Sequence, residues 1–295
     1  MSPQLVLLVN PAARGGRAVR LLGPVARRLR AGGADVSVIV GDSAPDALER
    51  ACAAVAERPD ALVAFGGDGL VHLAVQAVVG TDVPLGIIPA GTGNDIATAL
   101  GVPRKDPMAA ARVVLRGRSR LVDAARIQAG QADEVFAGVV CCGFDSRVNE
   151  RANGLSWPPG MAKYLLATFQ ELRRFRPIPF RITLDDDEPI EREAMLVAVG
   201  NTSSYGAGMR VCPDAQPDDG LLDVMILSAL SKAEFVRVFP SVYRGVHVAH
   251  EAVSVRRVRR VVLEAPDVVA YADGERIGPV PVTCEIQPGA LRVIA

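Results

Sequence analysis

Histidine is scarce in this chain: three occur among 295 residues, at scattered positions, which leaves little material for a histidine metal centre or a Ser–His–Asp triad. The five cysteines, Cys52, Cys141, Cys142, Cys212 and Cys284, show no CxxC spacing. Each sits in an apolar or strand-like context, so buried free thiols are expected rather than metal ligands or redox pairs. No uninterrupted apolar run reaches the roughly 18 residues a spanning helix needs. The first strand candidate, LVLLV, is too short and lacks the basic flank of a signal peptide. Net charge is zero, which argues against nucleic acid as the main partner. Internal repeats and low-complexity linkers are also missing. What remains is a cytoplasmic globular protein, 49% apolar and long enough to bury two cores.

The first third alternates short apolar runs with helical periodicity. LVLLV (5–9), VSVIV (36–40), ALVAF (61–65) and PLGIIP (84–89) read as strands, with helices near 17–31, 45–57 and 70–79. Strands apolar on both faces and separated by helices of this length imply a parallel sheet covered on both sides. Right-handed crossovers would place every strand-to-helix loop on the carboxyl edge of that sheet. After about Val122 the pattern becomes EVFAGVVCC, FRITL, AMLVAVGN, LLDVMIL, VSVRRVRRVVL and PVTCEI, broken by the turn signals DDDEP, PDDG and ADGE. This predicts an antiparallel β domain, interrupted by helices at 161–175 and near 231–243. The expected fold is therefore a Rossmann-like α/β domain over 1–123 and an antiparallel β-sandwich over 124–295, with the active site in the cleft between them. A return of the last residues to the first domain is left open.

Three loops leave strands on the same expected edge: NPAARGG (10–16), GGDG (66–69) and PAGTGND (89–95). Glycine permits the close backbone approach and positive φ that turn successive N–H groups toward an anion. A helix N-terminus after each loop adds free donors and a favourable dipole. One such loop alone is an ordinary turn; three on one edge point to phosphate. The spacing matches neither GxGxxG nor GxxxxGK[ST], so a hydride-transferring enzyme and a P-loop ATPase both lose ground.

In this order and at these separations, NPAARGG, FGGDG and PAGTGNDIA resemble the catalytic domain of diacylglycerol kinases, sphingosine kinases and bacterial YegS-like lipid kinases. NTSSYGAGMRVCPDAQPDDGLLDV (201–224) and YADGE (271–275) resemble the β-domain signatures of the same family. The resemblance implies an ATP- and Mg²⁺-dependent lipid kinase, most simply a diacylglycerol kinase, whose partners are ATP and a membrane lipid. The positions matching its nucleotide motifs are Asn10, Gly15 and Gly16, then Gly66, Gly67, Asp68 and Gly69, then Gly91, Thr92, Gly93 and Asn94. Thr92 and Asn94 are expected to hydrogen-bond ribose or phosphate oxygens. Asp68 and Asp95 would repel phosphate directly, so a bridging Mg²⁺ is expected, with Asp123 as a third acid of that network. A second, structural Mg²⁺ is implied at the Asp219 carboxylate and the carbonyls of Gln216 and Leu221; a solvated turn is the plain alternative. Asp273 is expected as the general base, with Glu275 orienting it.

Two departures stand out. The family reads GGDGT followed by Asn-Glu, whereas Leu70, His72 and Leu73 stand here. His72 is expected at the helix surface or the cleft wall. The DDDE run at 185–188 reads as a solvated hairpin turn. Lys163, Arg173, Arg174 and Arg176 flank Leu165, Leu166, Phe169 and Leu172, an amphipathic helix that either packs on the β domain or contacts a membrane from the cytoplasmic side. Arg256, Arg257, Arg259 and Arg260 form a solvated strand face or add to that surface. Rival readings are a kinase of a sphingoid base, phosphatidylglycerol or another lipid alcohol, an NAD kinase-like enzyme, and a catalytically silent nucleotide-binding regulator. A homodimer is left open.

Overall fold

A computed structural model describes residues 2–10, 17–158 and 161–295. The first part is built as its apolar pattern requires. Strands β1 (Gln4–Val9), β2 (Asp35–Val40), β3 (Ala61–Gly66) and β4 (Leu85–Pro89) pair in parallel in the order β2-β1-β3-β4. Helices α1 (Arg17–Ala31), α2 (Ala44–Ala56) and α3 (Asp68–Val78) are the crossovers. Every residue of β3 is buried, which is why it reads as an unbroken apolar run. The helices start where their caps dictate: Ser43 Oγ accepts from the Asp46 amide at 3.3 Å ahead of α2. Helix α4 (Asp95–Ala99) follows β4. Asp106 caps α5 (Pro107–Arg116) by accepting from Met108 N and Ala109 N, both at 2.9 Å.

The second part is an antiparallel β-sandwich of β5 (Ser119–Ala129), β6 (Ala132–Phe136), β7 (Val139–Gly143), β8 (Ile178–Leu184), β9 (Ile190–Gly200), β10 (Leu222–Ser228), β11 (Val253–Val258), β12 (Arg260–Glu264), β13 (Val269–Ala272), β14 (Glu275–Pro279) and β15 (Val282–Ile294). Its helices are α6 (Phe144–Gly154), α7 (Met161–Arg174) and α8 (Lys232–Val238). Several details differ from the sequence reading. The run VSVRRVRRVVL divides at Arg259, because the chain steps from β10's partner β11 to β12, which pairs with β8 and β15. Asp185 holds that step, its Oδ1 accepting from Arg259 N and Arg260 N at 2.8 Å each, so one acid of the DDDE turn is structural rather than solvated. The helix near 231–243 is α-helical only to Val238 and continues as a 3₁₀ stretch over Phe239–Arg244, where Pro240 cannot donate a backbone hydrogen bond. Helix α6 was not expected; FDSRVNERANG carries no apolar stripe to announce it. Of the cysteines, Cys52 is exposed, contrary to expectation, and the other four are buried.

Strand β15 joins the two halves. Its first part pairs with β12 and β5, and at Val293 it pairs in parallel with β4, while Leu291, Val293 and Ile294 belong to the apolar core of the first sheet. The β5–β15 register slips between Gln287 and Leu291. Asp123 sits at this slip, its Oδ1 accepting from Gly289 N and its Oδ2 from Gly220 N, both at 2.7 Å. Removing this buried carboxylate leaves two amides without an acceptor, at about 1–3 kcal/mol each. Asp123→Ala is therefore expected to lower stability by several kcal/mol in urea melts with an unchanged m-value. A loss below about 1 kcal/mol would show that water replaces the carboxylate without cost.

Candidate active site

Parallel pairing sends the loops after β3 and β4 out at one sheet edge, where they meet backbone to backbone. A Cβ built on Gly67 would lie 3.1 Å from the Gly91 Cα, and one on Gly91 would overlap Gly67 outright. Only glycine at both positions lets GGDG and GTGN lie together. Asn94, buried and at φ +56°, closes the second loop: its Oδ1 accepts from Gly91 N at 2.9 Å and its Nδ2 donates to Gly91 O at 3.0 Å. Asn94, expected at ribose or phosphate, thus braces the GTGN loop through its amide. Thr92 is exposed beside it. Asn10 follows β1, whereas Gly15 and Gly16 lie outside the described residues.

Gly93 marks the centre of the site. A Cβ there would meet Asp68 Oδ2 at 2.9 Å and Asp95 Oδ2 at 3.0 Å, so two carboxylates from two loops converge on one point. Asp68 starts α3, and its Oδ1 accepts from Ile96 N at 3.1 Å. Burial pushes its pKa up to about 6; the Ile96 hydrogen bond opposes the rise and the Asp95 charge adds to it. Burial also raises Asp95, against hydrogen bonds from the second domain: Ala207 N donates to Oδ2 at 2.7 Å and Ser204 Oγ to Oδ1 at 3.5 Å. The loop carrying Ser204 and Ala207 is the NTSSYGAGM segment, which thereby closes the cleft over Asp95. Two partly desolvated acids aimed at one point suit a hard divalent cation, and the donor set fits Mg²⁺.

In the YADGE turn the Asp273 side chain is wholly buried, at 0% exposure. Its carboxylate accepts from Ala137 N (3.1 Å), Gly138 N (2.8 Å), Val139 N (3.2 Å) and His72 Nδ1 (3.1 Å). Four donors on this carboxylate fix the YADGE turn against α3 and the segment leading into β7. Glu275 is exposed instead, its Oε1 lying where a Cβ on Gly69 would be, one residue from Asp68.

His72 is likewise not a surface residue. It is buried on α3, with Nδ1 on Asp273 and Nε2 at 2.9 Å from Glu134 Oε2 on β6. Burial alone would lower its pKa, but hydrogen bonds to the two carboxylates outweigh this and raise it to about 10, so an imidazolium donates to both. Gln76, one turn on, binds the β6 backbone through Val135 O (2.6 Å) and Val135 N (2.9 Å). Glu134 and Gln76 were not anticipated. The only sequence signal was a chargeable residue where the family pattern has Asn. Leu70 fills the space over Gly66, where a Cβ would meet its Cδ2 at 2.6 Å.

The remaining acids divide. Asp123, expected in the Mg²⁺ network, accepts one amide on each oxygen, from Gly220 and Gly289, at the junction of β5 and β15. Asp219 accepts from Leu221 N at 3.0 Å and pairs with Arg257. Beside it, burial pushes Asp223 up to about 6, the Arg257 charge opposing and Asp219 and Asp214 adding to the rise. Asp223 Oδ2 is buried and has no hydrogen-bond partner among the described residues. Arg257 faces both Asp219 and Asp223, its Nε 3.9 Å from Asp223 Oδ2, in the loop that also carries Gln216 and Leu221.

Residues 4–127 match the model of the diacylglycerol kinase catalytic domain, and residues 138–295 that of the YegS C-terminal NAD kinase beta sandwich-like domain. The chain is 44% identical over 292 residues to a protein named diacylglycerol kinase from Mycobacterium tuberculosis (strain ATCC 25618 / H37Rv), covering 99% of this chain and 94% of that one. The chain belongs to the diacylglycerol kinase-like lipid kinase family. A relative of the same name from Bacillus subtilis (strain 168) is 30% identical over 284 residues, covering 93% of this chain and 90% of its own. The fold of this family is also that of a crystal structure described as a diacylglycerol kinase from Bacillus anthracis str. Sterne, with a TM-score of 0.73 at 22% identity, over 99% of this chain and 96% of that one. A family kinase is thus seen here with a histidine clamp behind its cleft.

That clamp has a pH signature. The folded-state pKa of His72 lies above its unfolded value of roughly 6.5. Its stabilisation is therefore complete below about pH 6.5 and is lost as pH rises toward about 10. Chemical denaturation of the parent should weaken across that window, and His72→Gln should flatten this part of the profile. An identical slope in both proteins would mean that the imidazole is not held charged.

Proposed function

We propose that this chain transfers the γ-phosphate of ATP to the primary hydroxyl of diacylglycerol, giving phosphatidic acid. The observation that carries this reading is the convergence of Asp68 and Asp95 beside Gly93, under two glycine loops pressed together. The loops present backbone donors to the phosphates, and Gly67 and Gly91 keep side chains out of the approach. Mg²⁺, held by Asp68 and Asp95, would supply positive charge against the transferring phosphoryl group. The acceptor oxygen forms a bond to the γ-phosphorus as the bond to the leaving ADP oxygen breaks, and the hydroxyl proton passes to a carboxylate. Glu275, exposed beside Gly69, takes that role, while Asp273 fixes the turn on which Glu275 stands. Because diacylglycerol resides in bilayers and ATP in the cytoplasm, the reading puts the enzyme at the cytoplasmic face of a membrane.

Three measurements test this. Labelled ATP incubated with a mixed lipid extract should yield labelled phosphatidic acid by mass spectrometry. Another labelled lipid would make that lipid the acceptor, and none would favour the silent nucleotide-binding reading. Glu275→Gln should lower turnover by about 10²–10⁴-fold with ATP affinity retained. If Glu275→Gln keeps its turnover while a fully folded Asp273→Asn loses it, the proton acceptor is Asp273. Gly91→Val, folded by circular dichroism, should bind ATP at least tenfold more weakly in calorimetry, since its side chain would have to enter the Gly67 backbone.

The loop at Asp219 is read as a structural Mg²⁺ site, supported by the buried Asp223 Oδ2, which has no hydrogen-bond partner among the described residues and lies 3.9 Å from Arg257 Nε. Added Mg²⁺ should raise the Tm of the parent more than that of Asp219→Ala. Equal gains would leave only the ion pair with Arg257.

A further inference from the structure

Apolar side chains are exposed in unusual density on one part of the second domain. On α7, Leu165 and Phe169 lie one turn apart at 67% and 61% exposure, and on α8 Val236 is 57% exposed. The two helices are joined: Lys232 Nζ donates to Arg173 O at 2.5 Å, and Phe169, Leu172, Arg173, Lys232, Ala233 and Val236 line a shared groove of about 500 Å³. Tyr243, on the 3₁₀ stretch after α8, is half exposed, with its ring edge-on to Phe239 at 6.3 Å. The opposite side of α8 is spent on the interior, where Phe235 is buried against Phe144. The outward side chains therefore have no part in holding the domain together.

Charge decides what such a face fits. The segments 161–176 and 232–246 carry Lys163, Arg173, Arg174, Arg176, Lys232, Arg237 and Arg244 against two acids, Glu171 and Glu234, in a chain whose net charge is zero. Both acids are already committed. Glu171 is buried on Arg151, at 2.9 Å from its Nε, and Glu234 lies 3.6 Å from His250 Nε2. An apolar strip rimmed by uncompensated cations is repelled by a second copy of itself and suits an interface that is apolar within and anionic at its surface. We propose that the α7–α8 face docks on an anionic lipid bilayer, with Leu165, Phe169 and Val236 entering the acyl boundary and the basic rim meeting the headgroups. The surface follows from exposure and charge alone; its use to reach a bilayer-borne acceptor rests on the function proposed above.

The test is co-sedimentation of the whole protein with vesicles, without ATP or acceptor. Binding to phosphatidylcholine mixed with phosphatidylglycerol is expected, weakening with salt and much weaker on phosphatidylcholine alone. Leu165→Glu/Phe169→Glu, at exposed positions and checked for a parental Tm, should bind the mixed vesicles at least tenfold more weakly. Arg173→Glu/Lys232→Glu should lose the salt-dependent part. With an acceptor, the first variant should phosphorylate a soluble short-chain diacylglycerol as the parent does and a vesicle-borne one more slowly. Equal vesicle binding by parent and variants, or a parental dimer by light scattering that the first variant dissolves, overturns the proposal. Intact vesicle binding without kinase activity would instead overturn the proposed function and leave the docking face standing.

Discussion

The buried Asp273 carboxylate is the constraint around which the cleft is arranged. A carboxylate without access to water must be neutralised and fully hydrogen-bonded, or folding shifts its proton equilibrium or fails. Here three successive amides, Ala137 to Val139, turn toward it and an imidazolium from α3 completes the shell. Gly138 is obligatory in that turn, because a Cβ would come within 2.5 Å of Asp273 Oδ1. Since α3 begins at Asp68, the same contact ties the start of the GGDG helix to the strands of the second domain. The same turn places Glu275 over Gly69.

Environment sorts otherwise similar carboxylates into different work. Asp123 accepts two amides and Asp273 three, and both tie distant segments of the chain together. Asp68 and Asp95 lie together at Gly93, where burial raises both; the Asp95 charge adds to the rise at Asp68, and the Arg104 charge opposes it at Asp95. Glu275, beside Gly69, is exposed. Coupling runs through the loop at 201–209 as well. Ala207 donates to Asp95, and Tyr205 donates to Asp145 at the start of α6, where burial has pushed the carboxyl to about 7. The YGAGM signature thus links the Asp95 loop to the start of α6 in the β domain.

Much of this was legible in one dimension. Strands buried on both faces and amphipathic helices announce themselves by period, so β1 to β4 and α1 to α3 fall close to where their residues place them. Glycine loops after parallel strands must share an edge, which located Gly67, Gly91, Asp68 and Asp95 together before any coordinates. What local pattern could not supply was the destination of each side chain. Asp123 and Asp273 lie in motifs that look like those of Asp68, and nothing nearby in the chain says that amides 97 and 135 residues away will claim them.

Sequence alone determined the two-part architecture, the edge where the glycine loops gather and the family, because periodicity, glycine spacing and motif order are local properties carried by adjacent residues. Tertiary structure alone decided which acids remain free. It buried His72 between Asp273 and Glu134, spent Asn94 on its own loop, and returned β15 to the first core. A carboxylate's role depends on the donors and solvent around it, and those arrive from parts of the chain that only folding brings near.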